Sequence, residues 1–79
     1  LTIELFAVLR QRLSAQKITV TLPEGATVGQ LLAYLPKSYP DLAPLLSSVS
    51  VAVNMSYATA DDVLGEKDQI ALIPPVSGG

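Results

Sequence analysis

Only one stretch of this 79-residue chain carries the period of a long helix. Val28, Leu31, Leu32 and Leu35 recur at i, i+3, i+4 and i+7, which puts them on one stripe of a helix. Thr27 stands where an N-cap belongs, and Gln30 three residues later completes a capping-box pattern. Pro36 lacks an amide hydrogen and clashes with the preceding turn, so the helix is expected to end near Leu35. A lone helix with one apolar stripe cannot bury that stripe by itself and needs a sheet to lie across. The chain has no cysteine and no histidine, so no disulfide or thiolate metal site can stand in for a packed core.

The segments around this helix read as strands. Residues 2–9 are apolar on both faces after Glu4, which suits a central strand. Residues 10–16, with Arg10, Gln11, Arg12 and Gln16 around Leu13, read as a loop or short helical turn. Lys17–Leu22 alternate, with Ile18, Val20 and Leu22 on one face, and should pair with the first strand as an antiparallel hairpin. Pro23-Glu24-Gly25 stops that strand. Beyond the helix, Pro36, Pro40 and Pro44 mark a connection with room for one helical turn at Asp41–Leu46. Residues 49–54 alternate as a third strand, Met55-Ser56 read as a turn, and Tyr57–Thr59 as a short strand. Gln69–Ile73 are again apolar on both faces, so the first and last strands should both lie inside the sheet, parallel to each other. The order β-β-α-β-(β)-β with one helix across a mixed sheet is an α+β, β-grasp arrangement. Residues 1–73 form its single domain and residues 74–79 an extended tail.

Composition narrows the function classes. Five basic against seven acidic residues give a net charge of -2, which disfavours nucleic acid as a partner. No apolar run of about 18 residues is present to cross a membrane, and no signal peptide is visible, so a reducing, cytoplasmic setting is expected. Charged residues make up only 15% and hydrophobic residues 49%. A domain this small cannot bury all of that apolar surface, so an exposed patch with a partner is one expectation and a tight core under a sparse surface the other.

The last six residues are Pro74-Pro75-Val76-Ser77-Gly78-Gly79. Two prolines favour a stiff, extended backbone, and at about 3.1 Å per residue six residues reach roughly 20 Å. Gly78 and Gly79 have no Cβ and can thread a narrow channel. The reactive group such a tail offers is its terminal carboxyl, ionised at neutral pH with a reference pKa of about 3.5. A carboxylate is a poor acyl electrophile until activated, for example as an acyl-adenylate formed with ATP, after which a sulfur or amine nucleophile can take the acyl group.

Ile70-Ala71-Leu72-Ile73-Pro74-Pro75-Val76-Ser77-Gly78-Gly79 resembles the C-terminal signature of the molybdopterin synthase small-subunit (MoaD) family of ubiquitin-like sulfur carriers. Val51-Ala52-Val53-Asn54 resembles the family's third strand. Leu5-Phe6-Ala7 with Arg10 resembles its opening strand and the basic residue after it, and Thr27-Val28 with Leu31 and Leu35 its helix start. The resemblance spans the chain. It implies that Gly79 is adenylated, converted to a thiocarboxylate, and donates sulfur to a cyclic pyranopterin precursor to build the dithiolene of molybdopterin. The implied partners are the large subunit of the synthase, an adenylating enzyme that uses ATP, and a sulfur-donor enzyme, with two small and two large subunits in the synthase. No cofactor or metal is expected on this chain, which is then not an enzyme by itself.

Pro74, Pro75, Val76, Ser77 and Gly78 would guide the tail into a partner, with Arg10, Phe6, Leu72 and Ile73 as contact candidates. Phe6 is read first as a core residue and second as part of the patch, and Arg10 is equally well a solvated loop residue. Leu72 and Ile73 are aliphatic where relatives often carry aromatics. Asp61, Asp62, Glu66 and Asp68 read as a solvated turn, not a cation site. The serines have no histidine partner for a triad, and no Walker-type loop is present, so ATP belongs to the partner. The alternatives are a sulfur carrier for thiamin or another thiolated product, a protein modifier using the same activated glycine, and a plain interaction module.

Overall fold

The computed structural model describes residues 1–75. Strands β1 (Thr2–Leu5), β2 (Lys17–Thr19), β3 (Ser50–Val53), β4 (Ser56–Tyr57) and β5 (Ile70–Ile73) form one sheet in the order β2-β1-β5-β3-β4. The central pair β1–β5 is parallel, with Ile3 opposite Ile70 and Leu5 opposite Leu72, and the other pairs are antiparallel. This is the β-grasp arrangement expected from the sequence, with the first and last strands adjacent inside the sheet.

The inner face of the sheet carries Ile3, Leu5, Ile18, Val51, Ile70 and Leu72, all buried. Against it lies α2 (Val28–Ser38), whose Val28, Leu31 and Leu35 are buried as its periodicity requires. The N-terminus of α2 is capped as read. Thr27 Oγ1 accepts the Gln30 N–H at 3.2 Å and Gln30 Oε1 accepts the Thr27 N–H at 2.9 Å. Leu42, from the 3₁₀ turn Pro40–Leu42, and Leu9 close the far side of the core, and α3 (Ala43–Leu46) follows the turn.

Four local expectations change. The first strand does not run to residue 9. It stops at Leu5, Ala7 adopts φ 51° and ψ -124°, and the chain turns into helix α1 (Val8–Leu13). The run Leu5–Leu9 has no polar break to mark this turn. Leu9 and Leu13, four residues apart, serve the core equally well from a helix, with Leu9 fully buried. α2 continues through Pro36 to Ser38. In the last turn a proline deprives only the Leu32 carbonyl of its helical partner, and the Tyr39 N–H still reaches the Leu35 carbonyl at 2.7 Å. β2 is shorter than residues 17–22, although the Val20 N–H still bonds to the Leu1 carbonyl at 2.9 Å. The β3–β4 turn falls on Asn54-Met55, at φ 52° and 71°, so Ser56 belongs to the strand. Two successive left-handed residues match the twist of a tight hairpin, and asparagine tolerates that conformation.

Candidate functional site

β5 delivers the tail from the middle of the sheet. It ends at Ile73, after which Pro74 is half-buried and Pro75 exposed. The expected tail residues Val76, Ser77, Gly78 and Gly79 lie outside the described residues.

The outer face of the sheet beside this exit is largely apolar. The pairings align Glu4, Ala71, Ala52 and Tyr57 in one cross-strand row, and Ile73 stands opposite Ser50. Phe6, Ala52, Met55, Tyr57, Ala71 and Ile73 line an open groove, with Glu4 and Gln69 as its polar members. Phe6 is 41% exposed, Tyr57 74% and Met55 91%. Large side chains at such exposure in one groove form the surface patch expected from the apolar excess of the sequence.

Among the contact candidates, Phe6 and Ile73 lie in this groove, so the first reading of Phe6 as core is overturned. It sits just past the end of β1, before the chain turns away at Ala7, and its side chain opens onto the groove. Arg10 is exposed on α1. Leu72 is corrected. It is fully buried in the core, because alternation along β5 points it under α2, so its side chain cannot meet a partner. Sequence reasoning missed Met55, Tyr57 and Ala52. Met55 and Tyr57 hang on the hairpin turn that fell one residue off, whereas Ala52 and Ala71 carry the one usable signal, apolar residues at positions that alternation assigns to the outer face.

A hydrogen-bonded knot fixes the hairpin to the base of β5. Asn54 Nδ2 donates to Asp68 Oδ1 at 3.0 Å, and Asn54 Oδ1 accepts the Gln69 N–H at 3.0 Å. The Asn54 N–H bonds to the Gln69 carbonyl at 2.7 Å, and Asp68 Oδ2 accepts the Gly65 N–H at 2.8 Å. These bonds, that from Asn54 first and that from Gly65 second, hold the Asp68 carboxyl below its ordinary value of 3.8. A carboxylate with a lowered folded-state pKa stabilises the fold above its unfolded value, and that contribution is lost as pH falls through the folded value. Thermal midpoints measured from pH 5 downward should therefore fall for the wild type. Asp68→Asn should start lower and show a shallower slope, and an unchanged slope would remove Asp68 from the account.

At the opposite end of the sheet a second depression is lined by Leu22–Ala26 and Val63–Asp68. It does not offer the first amides of α2 as an anion site. The Val28 N–H is bonded to the Asp62 carbonyl at 2.9 Å and the Gly29 N–H to the Ala60 carbonyl at 3.0 Å. Among the described residues, no group of three or more His, Cys, Asp or Glu could hold a metal ion. No helix among them is long and apolar enough to cross a membrane.

A β-grasp body with one main helix across a mixed five-stranded sheet, and an exposed, largely apolar outer face, defines a ubiquitin-like domain. The chain belongs to the ThiS family, whose model matches residues 3–79. It is 35% identical over 75 residues to the molybdopterin synthase sulfur carrier subunit of Arabidopsis thaliana, covering 95% of this chain and 78% of that protein. The protein of the same name from Mycobacterium tuberculosis is 40% identical over 60 residues, covering 76% of this chain and 72% of its own length. Among solved structures, SAMP1 from Haloferax volcanii matches with a TM-score of 0.84 at 29% identity, covering 99% of this chain and 97% of that one. The family resemblance read from the sequence is borne out.

Proposed function

We propose that this chain is the sulfur carrier subunit of a molybdopterin synthase. The observation that carries the reading is the match to curated carriers of that name over up to 95% of the chain. The tail Pro74–Gly79 and the absence of histidine and cysteine support it.

The chemistry is a cycle on the carboxyl of Gly79. The carboxylate attacks the α-phosphorus of ATP in an activating enzyme, forming an acyl-adenylate and releasing pyrophosphate. Hydrosulfide from a sulfur source then attacks the acyl carbon, the bond from that carbon to the adenylate oxygen breaks to release AMP, and a thiocarboxylate is left. The thiocarboxylate sulfur passes to the pyranopterin precursor, and water restores the carboxylate. A dithiolene holds two sulfurs, so two charged tails are consumed for each molybdopterin. Pro74 and Pro75 stiffen the stalk, and Gly78 clears the approach to the acyl carbon. This chain binds no cofactor of its own, and ATP is held by the activating enzyme. General acids and bases belong to the large subunit, in keeping with the lack of histidine and cysteine in this chain. The apolar groove around Phe6 and Ile73 is the docking face for that large subunit, with Arg10 at its margin, in a cytoplasmic assembly of two small and two large subunits.

The test is the intact mass of the chain after incubation with its activating enzyme, ATP and a sulfur source. The expected gain equals the exchange of one oxygen for sulfur, mapped to Gly79. No gain with an enzyme that forms the adenylate would overturn the sulfur-carrier reading.

A second reading is favoured by one observation, the close structural match to SAMP1, a small archaeal modifier protein. A modifier would use the same adenylate to form isopeptide bonds with lysines. Covalent adducts in extract that vanish with Gly79 would select it.

A further inference from the structure

The charge of the folded chain is divided between its two ends. Four of the five basic side chains, Arg10, Arg12, Lys17 and Lys37, stand on the segments around the end of the sheet where β5 gives way to the tail. Arg10 and Arg12 lie on α1, which follows β1 at that end, and the Leu5 N–H bonds to the Gln16 carbonyl at 2.9 Å where the chain returns. Lys17 begins β2 there, opposite Glu4. Lys37 lies in the last turn of α2, and the 3₁₀ turn that follows packs on α1. All four are exposed, and only Glu4 and Asp41 oppose them.

The other end holds Glu24, Asp61, Asp62, Glu66 and Asp68, with Lys67 as the one basic side chain. The loops that carry them meet at the start of α2, where the Leu64 N–H bonds to the Ala26 carbonyl at 2.8 Å. Counting side chains, the tail end carries four positive and two negative charges and the far end one positive and five negative, which together give the net -2 of the sequence. A uniform charge of that sign would repel an acidic partner from every direction. This distribution repels it at one end and attracts it at the other.

We propose that the basic end is an electrostatic docking surface for an acidic rim on the enzyme that activates the tail, so that encounters occur tail first. The inference rests on the reading of Gly79 as the acyl group that becomes adenylated. A carrier visits its activating enzyme transiently and must leave after each turn. Charge complementarity suits that need, because it raises the encounter rate more than it slows release, by roughly 10- to 1,000-fold for steered partners.

The test is ATP–pyrophosphate exchange by the cognate activating enzyme with the full chain as the varied substrate. Raising monovalent salt from about 20 to about 300 mM shortens the Debye length from roughly 20 to roughly 6 Å. kcat/KM for the chain should then fall about tenfold, with kcat within about twofold. The double variant Arg10→Glu/Arg12→Glu should lose about tenfold in kcat/KM at low salt and respond little to added salt. Reversed charges in the last turn of α1 oppose its dipole, so Arg10→Gln/Arg12→Gln, checked for folding by circular dichroism, should show a smaller loss in the same direction. Asp61→Lys/Glu66→Lys, at the far end, should retain at least the wild-type kcat/KM. Wild-type exchange that is robust but flat with salt, or far-end reversals that lose as much as those on α1, would overturn the inference. So would ATP binding to the chain alone that disappears in Arg10→Gln/Arg12→Gln, since a nucleotide would then be the anion. A wild type that supports no exchange at any salt would overturn the parent reading of Gly79 instead.

Discussion

Removing Gly78 and Gly79 is expected to abolish sulfur delivery while leaving the folded body intact. In the reconstituted synthase, conversion of the pyranopterin precursor should fall by at least about 1,000-fold. The reason is reach. Two extended residues span about 6 Å, and a misplacement of about 1 Å can already cost about 100-fold in a positioned reaction. The truncated carboxyl would be carried by Ser77, short of the reacting atoms and behind a side chain that crowds the channel. No other group on the chain can replace it, because the chain has neither cysteine nor histidine. The stability of the body should change by less than about 0.5 kcal/mol, since the buried core runs only from Ile3 to Leu72. Conversion at the wild-type rate by the truncated chain would sink the mechanism.

The second large effect separates two neighbours on β5. Leu72→Ala should destabilise the domain by about 2–5 kcal/mol, because Leu72 is fully buried between α2 and the sheet and its loss leaves a cavity. Domains of this kind have about 5–15 kcal/mol in all, and a small one lies near the low end, so this variant should be largely unfolded near 50 °C. Ile73→Asp, one residue on, points to the groove. It should cost little stability, yet weaken the large subunit by about 100-fold or more, because a charge would be buried in an apolar contact. Chemical denaturation and a binding titration on both variants read the two effects apart. Unchanged affinity in Ile73→Asp would move the docking face elsewhere.

Much of the architecture was legible from local chemistry. The capping box at Thr27 and Gln30 and the stripe Val28, Leu31, Leu35 specify α2 through contacts within one turn, so tertiary packing had little to override. The doubly apolar run Gln69–Ile73 placed β5 inside the sheet, because a central strand has apolar residues on both faces, whereas β1 is central although Thr2 and Glu4 leave its outer side polar and the apolar run after Glu4 mostly became α1. The errors fell where two conformations serve the same residues. Leu9 reaches the core from a strand or from α1, and Pro36 is tolerated where the helix is about to end anyway. Phe6 and Leu72 exchanged their expected surroundings for a related reason. An apolar side chain in a doubly apolar strand does not reveal which face the helix will cover.

By itself, then, the sequence determined the helix, the order of the strands, the chemistry of a Pro-Pro-Val-Ser-Gly-Gly tail and the lack of histidine and cysteine. Those properties reside in residue types and short spacings. Tertiary structure alone decided three further things: that Phe6, Met55, Tyr57 and Ile73 share one groove, that Asn54 locks the hairpin to Asp68, and that a net charge of -2 is split into opposed ends. Each depends on residues far apart in the chain brought together by the parallel pairing of β1 with β5 and the packing around it. No local spacing encodes such distances.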